Sequence, residues 1–128
     1  MFDVVNDVEA YPRRFNWCRE ASVVSTAADG SGLTARLAVR YAGMETQFTT
    51  RNRVESGRSI LLELVEGPFT RLRGGWRFIA LGEQGCRVEL NLDFELAGRF
   101  LGTALAVGFA ALADRMVDDF VRAALEGE

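Results

Sequence analysis

A chain of 128 residues is long enough for one domain with a real core and too short for two. With 48% hydrophobic and 26% charged residues it is not disordered, and a net charge of −3 with a pI near 5.1 argues against a general nucleic-acid binder, though not against a local basic patch. The absence of histidine removes Ser-His-Asp and Cys-His catalysis and His-ligated metals, and Cys18 and Cys86 are too far apart for a CxxC pair, so neither a catalytic centre nor a metal is expected.

Residues 2–8 place Phe2, Val5 and Val8 on one side of a short helix, which Tyr11-Pro12 is expected to end because proline disfavours helix at the residue before it. Residues 13–17 can make another helical turn, finishing near Cys18. From there the pattern is β. Residues 22–26 are rich in valine, serine and threonine, and Asp29-Gly30-Ser31-Gly32 supplies a turn. Leu33, Ala35, Leu37, Val39 and Tyr41 then alternate with polar or small residues, and Gly43 interrupts them. Met44, Thr46, Phe48, Thr50, Asn52 and Val54 alternate against Glu45, Gln47, Thr49, Arg51 and Arg53. After Ser56-Gly57 come Ile60, Leu62 and Leu64; after Gly67-Pro68 come Leu72, Gly74, Trp76 and Phe78, set against Arg71, Arg73, Gly75 and Arg77. A turn over residues 82–85 leads to Val88, Leu90, Leu92, Phe94 and Leu96. A period of two gives each strand one apolar face, and short connections imply an antiparallel meander of about six strands.

The apolar face of the sheet needs a cover. The segment from about residue 99 to 125 repeats Leu101, Leu105, Phe109, Leu112, Met116 and Phe120 at intervals of three and four, a helical stripe. Its first half is apolar nearly all round and is expected to be enclosed. Its second half carries Asp114, Arg115, Asp118, Asp119 and Arg122 on the opposite side and is expected to cross a sheet edge. Strands followed by one long helix make an α+β domain spanning residues 1–128. The acidic N-terminus has no apolar signal segment, and the longest uncharged run, residues 100–113, is shorter than the ~20 residues of a membrane span. A cytoplasmic location is expected, with the two cysteines as small buried hydrophobes in a reducing compartment.

The run FDVVNDVEAYP with Trp17-Cys18 resembles the opening of the coenzyme Q-binding and ribosome-association-toxin (RatA) family, within the polyketide cyclase/dehydrase group of the START-like (Bet v 1-like, SRPBCC) superfamily. The likeness continues through FTTRN at residues 48–52, LVEGPF at 64–69, Leu72, Trp76 and Phe78, LDFE at 92–95 and MVDDF at 116–120, and so covers almost the whole chain. It implies a helix-grip fold, a curved antiparallel sheet closed around a long C-terminal helix. Members usually carry roughly fifteen to twenty residues before the Phe2 position, enough for one strand of typical length. This sheet is therefore expected to lack the family's first strand, whether through a true absence or a start codon placed too late. Arg14 and Asn16 also replace the family's usual phenylalanine and proline.

The functional space implied is a cavity between sheet and helix. The alternation turns Thr46, Thr50 and Asn52 inward with Phe48, where they bond neighbours or recognise a polar head group. Tyr41, Phe48, Trp76, Phe78, Phe94, Leu105, Phe109 and Leu112 are expected along the apolar wall, some serving only as core. Phe69, beside Gly67-Pro68, is a candidate for an exposed apolar residue at the cavity mouth, facing ligand or membrane. Arg51, Arg53, Arg71, Arg73 and Arg77 point outward, either paired with strand-face carboxylates or available to anionic lipid or RNA phosphates. The carboxylates Glu63, Glu89, Asp93 and Glu95 also alternate outward, which leaves no inward acid for enzyme chemistry.

The resemblance implies a non-enzymatic binder of ubiquinone or a related isoprenoid lipid, without any other cofactor, supporting respiration and peripheral to the inner membrane if it touches one. Its rival is a toxin that binds the large ribosomal subunit and blocks subunit association. A third reading is a cyclase-like enzyme. Oligomeric state is not legible.

Overall fold

The structure is a computed structural model that describes residues 2–41, 43–55, 57–82, 85–98 and 104–126. Alternation organises the middle of the chain into β1 (Cys18–Thr26), β2 (Gly32–Tyr41), β3 (Met44–Glu55), β4 (Ser59–Glu66), β5 (Phe69–Leu81) and β6 (Gly85–Leu96). They pair antiparallel in chain order as one six-stranded sheet, the expected meander. Thr50 lies opposite Ala35 and Leu64, and Trp76 opposite Ile60 and Leu90, so the apolar sets of successive strands fall on one face. Irregularities at Val23/Ser25, Thr49/Thr50 and Phe69/Arg71 bend the sheet. The one at Thr49/Thr50 buries Thr49, which simple alternation turns outward.

Before the sheet come α1 (Phe2–Asn6), a 3₁₀ turn over Val8–Ala10 and α2 (Tyr11–Arg14). Pro12 does not end a helix here. It occupies the first turn of α2, where its missing N–H costs nothing, and the chain becomes extended only at Phe15. The expected turn over residues 13–17 therefore begins two residues earlier and closes through Phe15 N–H to the Tyr11 carbonyl, 2.9 Å.

The concave face is closed by α3 (Ala104–Glu126). Leu105, Phe109, Leu112, Met116 and Phe120 form its inner stripe as expected; Leu101 and the expected start near residue 99 lie outside the described residues. Gly108 sets how closely α3 approaches, because a methyl group there would overlap the Met44 side chain at the β2–β3 turn. Two expectations for this helix are corrected. Its first half is not enclosed all round, since Val107 is 72% exposed. Its second half does not present Asp119 to solvent on the side opposite the stripe: that residue is 7% exposed and accepts from Trp17. Cys18 is buried as expected; the Cys86 side chain lies outside the described residues.

Candidate functional site

Between α3 and the inner face of β2–β6 is a cavity of about 70 Å³. Its floor is set by strand parity: Ala35 and Leu37 from β2, Phe48, Thr50 and Asn52 from β3, Ile60 and Leu62 from β4. Leu72 and Trp76 of β5 and Leu90 and Leu92 of β6 continue it. Phe109, Met116 and Phe120 of α3 form the roof, and Val5, Val8 and Tyr11 close the N-terminal side.

Within this apolar wall the polar groups are few. The Thr50 hydroxyl donates to Asn52 Oδ1 at 2.7 Å, both residues being buried. That bond leaves the Asn52 amide nitrogen without a hydrogen-bond partner among the described residues. The Tyr11 hydroxyl, at the other side, donates to the Val5 carbonyl. Tyr11 is the one titratable side chain among the described lining residues, and burial pushes its acidity far down, so that it stays a neutral donor. The described wall thus offers hydrogen bonds and apolar surface, and no group that exchanges a proton near neutral pH.

Two aromatic clusters bound the cavity along α3. Phe48, Phe69, Phe94 and Phe109 meet edge to face, with Phe94–Phe109 at 4.9 Å and Phe69–Phe109 at 5.0 Å between ring centres. Tyr11, Phe15, Trp17, Trp76 and Phe120 make the second, in which Phe15 stacks on Trp17 at 5.0 Å and Phe120 lies 4.7 Å from Phe15. Each such pair contributes roughly 0.5–1.5 kcal/mol beyond its area. The second cluster is tied by a polar bond across its rim. Trp17 Nε1 donates to Asp119 Oδ2 at 2.9 Å, while Arg115 and Arg122 reach Asp119 Oδ1 at 3.1 and 3.4 Å. Asp119 is thus a buried acid that the outward alternation did not anticipate, and these donors, outside the cavity, occupy it.

The structure therefore brings Phe48, Thr50, Asn52, Trp76 and Phe109 of the expected set to the cavity wall. Phe69 is corrected: it is not exposed at a mouth but 7% accessible, because it fills the first aromatic cluster together with Phe94. Tyr41 and Thr46 flank the β2–β3 turn, beyond the floor. Phe78 stacks past Trp76 at 6.3 Å, and Leu105 and Leu112 pack as core. The lining residues that sequence reasoning missed had signals. Ile60, Leu62, Leu72, Leu90 and Leu92 share strand parity with those named, Met116 and Phe120 share the helical stripe, and Val5 and Val8 are three apart.

On the outer face, Arg71 bonds Asp93 through Nε and Nη2, each 3.1 Å, which holds the Asp93 carboxyl below its usual range. Arg73 approaches the same carboxylate at 3.6 Å and Arg77 reaches Glu89 at 3.7 Å. These three follow the paired-strand reading. Arg51 and Arg53 differ, with no ion-pair partner within 4.0 Å among the described residues.

Comparison with known proteins agrees with this architecture. The family described as polyketide cyclase / dehydrase and lipid transport matches residues 1–121. The protein named ribosome association toxin RatA in Escherichia coli K12 is 39% identical over 126 residues, covering 98% of this chain and 78% of that protein. The Pseudomonas aeruginosa protein of the same name is 40% identical over 124 residues, covering 97% and 85%. Among solved structures, an 18 kDa protein from Caulobacter crescentus is 31% identical with a TM-score of 0.73, covering 99% of this chain and 88% of its own. A START superfamily protein from Mycobacterium smegmatis shares the fold with a TM-score of 0.74 at 24% identity, covering 98% and 84%. So does the Zhui aromatase/cyclase of a Streptomyces strain, at 0.69 and 21%, covering 94% and 74%.

Proposed function

We propose that this chain, which belongs to the polyketide cyclase / dehydrase and lipid transport family, binds an apolar ligand with a polar head in its cavity, ubiquinone or a related isoprenoid lipid, without transforming it. The observation that carries this reading is the Thr50–Asn52 pair. A purely hydrophobic wall needs no amide. Asn52 brings one whose oxygen is taken by Thr50 and whose nitrogen has no partner among the described residues, so that it can donate to a ligand head group. A quinone carbonyl supplies the acceptor, and an isoprenoid tail replaces water along the leucines at about 25 cal/mol per Å² buried. A cavity of about 70 Å³ is smaller than the roughly 300–1,000 Å³ of ligand pockets, so the ligand has to part the wall. Half-buried Leu62, Leu90, Leu92 and Met116 are the side chains placed to yield.

The test is native mass spectrometry of the protein purified from its own cells, followed by organic extraction. A bound quinone or other isoprenoid lipid is expected. Protein that is consistently empty of any lipid overturns the reading.

A second reading has its own support in the 39–40% identity, over nearly the full chain, to proteins named ribosome association toxin. In it the chain docks on the large ribosomal subunit and hinders subunit joining. Co-sedimentation with purified large subunits tests it, and a protein left wholly in the supernatant at low salt contradicts it.

A further inference from the structure

The hydrogen bonding of the sheet stops short at one place. β4 runs to Glu66 and β5 starts at Phe69, yet the two pair only between Ser59–Arg77 and Glu63–Arg73. Beyond Glu63 the strands part, β4 staying with β3 and β5 with β6. The parting leaves an opening of about 890 Å³ between the strands, lined by outward arginines and, deeper in, by Leu62, Leu72 and Leu92 of the cavity floor. Arg51 and Arg53 stand on its β3 side and Arg71 and Arg73 on its β5 side, against two carboxylates, Glu63 and Asp93. On β4, Glu63 stands between Arg51 and Arg73, and Leu61, 51% exposed, stands between Arg53 and Gly75.

On a chain of net charge −3, four arginines against Glu63, Asp93 and the nearby Glu95 leave a local excess of positive charge. The two sides of the opening also differ in use. Arg71 and Arg73 share Asp93, whereas Arg51 and Arg53 have no ion-pair partner among the described residues. Adjacent strands are about 4.8 Å apart, so Arg51 and Arg73, on either side of Glu63, stand about 10 Å apart, while Arg71 lies beyond the point where β4 and β5 part. On each side the arginines lie two residues apart, about 6.6 Å along the strand, near the spacing of successive phosphates on a nucleic-acid chain. Guanidinium groups suit phosphate because they donate in a planar fork.

We propose that this groove is the surface by which the protein holds an RNA backbone, Arg51 and Arg53 contacting phosphates directly and Arg71 and Arg73 completing the field. The proposal rests on the ribosome reading above and gives it a place on the molecule. A flat anionic membrane fits less well, because the arginines line a recess instead of crowning a protrusion.

The experiment measures binding of the full chain to purified large ribosomal subunits and to protein-free large-subunit RNA, across a salt series. Alongside it run Arg51→Gln/Arg53→Gln and a control pair on α2, Arg13→Gln/Arg14→Gln, which removes equal charge elsewhere. The groove variant is expected to bind at least roughly tenfold more weakly, with a log–log salt slope lower by about 1.5–2, while the control pair stays near wild type. Wild-type binding that the groove variant leaves unchanged overturns the surface and spares the ribosome reading. A wild-type protein that binds neither subunit nor RNA overturns both. Binding to vesicles of anionic phospholipid, lost in the groove variant, with none to RNA, replaces RNA by a membrane.

Discussion

The two aromatic clusters that grip α3 are alike in size and unlike in construction. Phe48, Phe69, Phe94 and Phe109 come from strands and helix alone, and among the described residues their ring-to-ring contacts are with one another. Tyr11, Phe15, Trp17, Trp76 and Phe120 draw three members from the N-terminal segment and carry polar bonds, from Tyr11 to the Val5 carbonyl and from Trp17 to Asp119. The first cluster can be remodelled without orphaning a hydrogen-bonding group. The second ties the rotation of the helix to the N-terminal segment through the bond from Trp17 to Asp119.

Truncating a ring at each end breaks the comparison most severely. Phe120→Ala and Phe109→Ala should each cost about 3–5 kcal/mol in denaturant unfolding, with Phe120→Ala the worse because its ring meets Tyr11, Phe15, Trp17 and Trp76. Both rings roof the cavity, but Phe109→Ala leaves the polar ties of the second cluster in place, and ligand binding should survive it. Equal losses of ligand binding in both variants would erase the distinction.

A smaller effect isolates the polar tie. Trp17→Phe keeps one aromatic ring but removes the donor together with part of the buried indole, at about 1–3 kcal/mol, while Asp119→Ala strands the buried indole N–H at about 1–3 kcal/mol. The two should be markedly non-additive, and a double-mutant cycle with no coupling would show that the bond contributes nothing.

A further expected effect is alkaline. Burial pushes the Cys18 thiol, beside Trp17, up to about 11. The folded protein then holds its proton where the unfolded chain, near 9, has released it, so stability should fall as pH rises between those values. Tyr11, raised by burial too, continues the fall at higher pH. Cys18→Ala should flatten the first part of that decline, and an unchanged pH profile would remove Cys18 as its source.

The contrast between the clusters also marks what the sequence could reveal. Phe48, Phe94 and Phe109 sit on clean periods of two and of three to four, so the sheet, its order and the helical stripe were readable before any coordinates. Parity also turned Thr50 and Asn52 inward with Thr46, whereas the cavity was implied by the family resemblance and the bond between Thr50 and Asn52 appears only in the structure. The second cluster was not readable, because Tyr11, Phe15 and Trp17 lie in short turns where no period repeats, and Pro12 reads equally as a stop or a start. Asp119 looked like part of a solvated helix face; only its partner 102 residues away makes it interior. Phe69 looked exposed because a Gly-Pro turn normally is, but Gly67 approaches Phe48 so closely that the chain folds inward there.

The central claim, that the Thr50–Asn52 pair serves a ligand, is tested most directly by Thr50→Val/Asn52→Leu. Thermal unfolding and quenching of Trp76 fluorescence by decyl-ubiquinone are measured on the same samples. Replacing both buried polar partners by apolar groups of similar size should leave Tm unchanged or higher, while affinity falls roughly tenfold with the loss of the head-group hydrogen bond. A lower Tm with undiminished affinity would make the pair a structural bond and contradict the account.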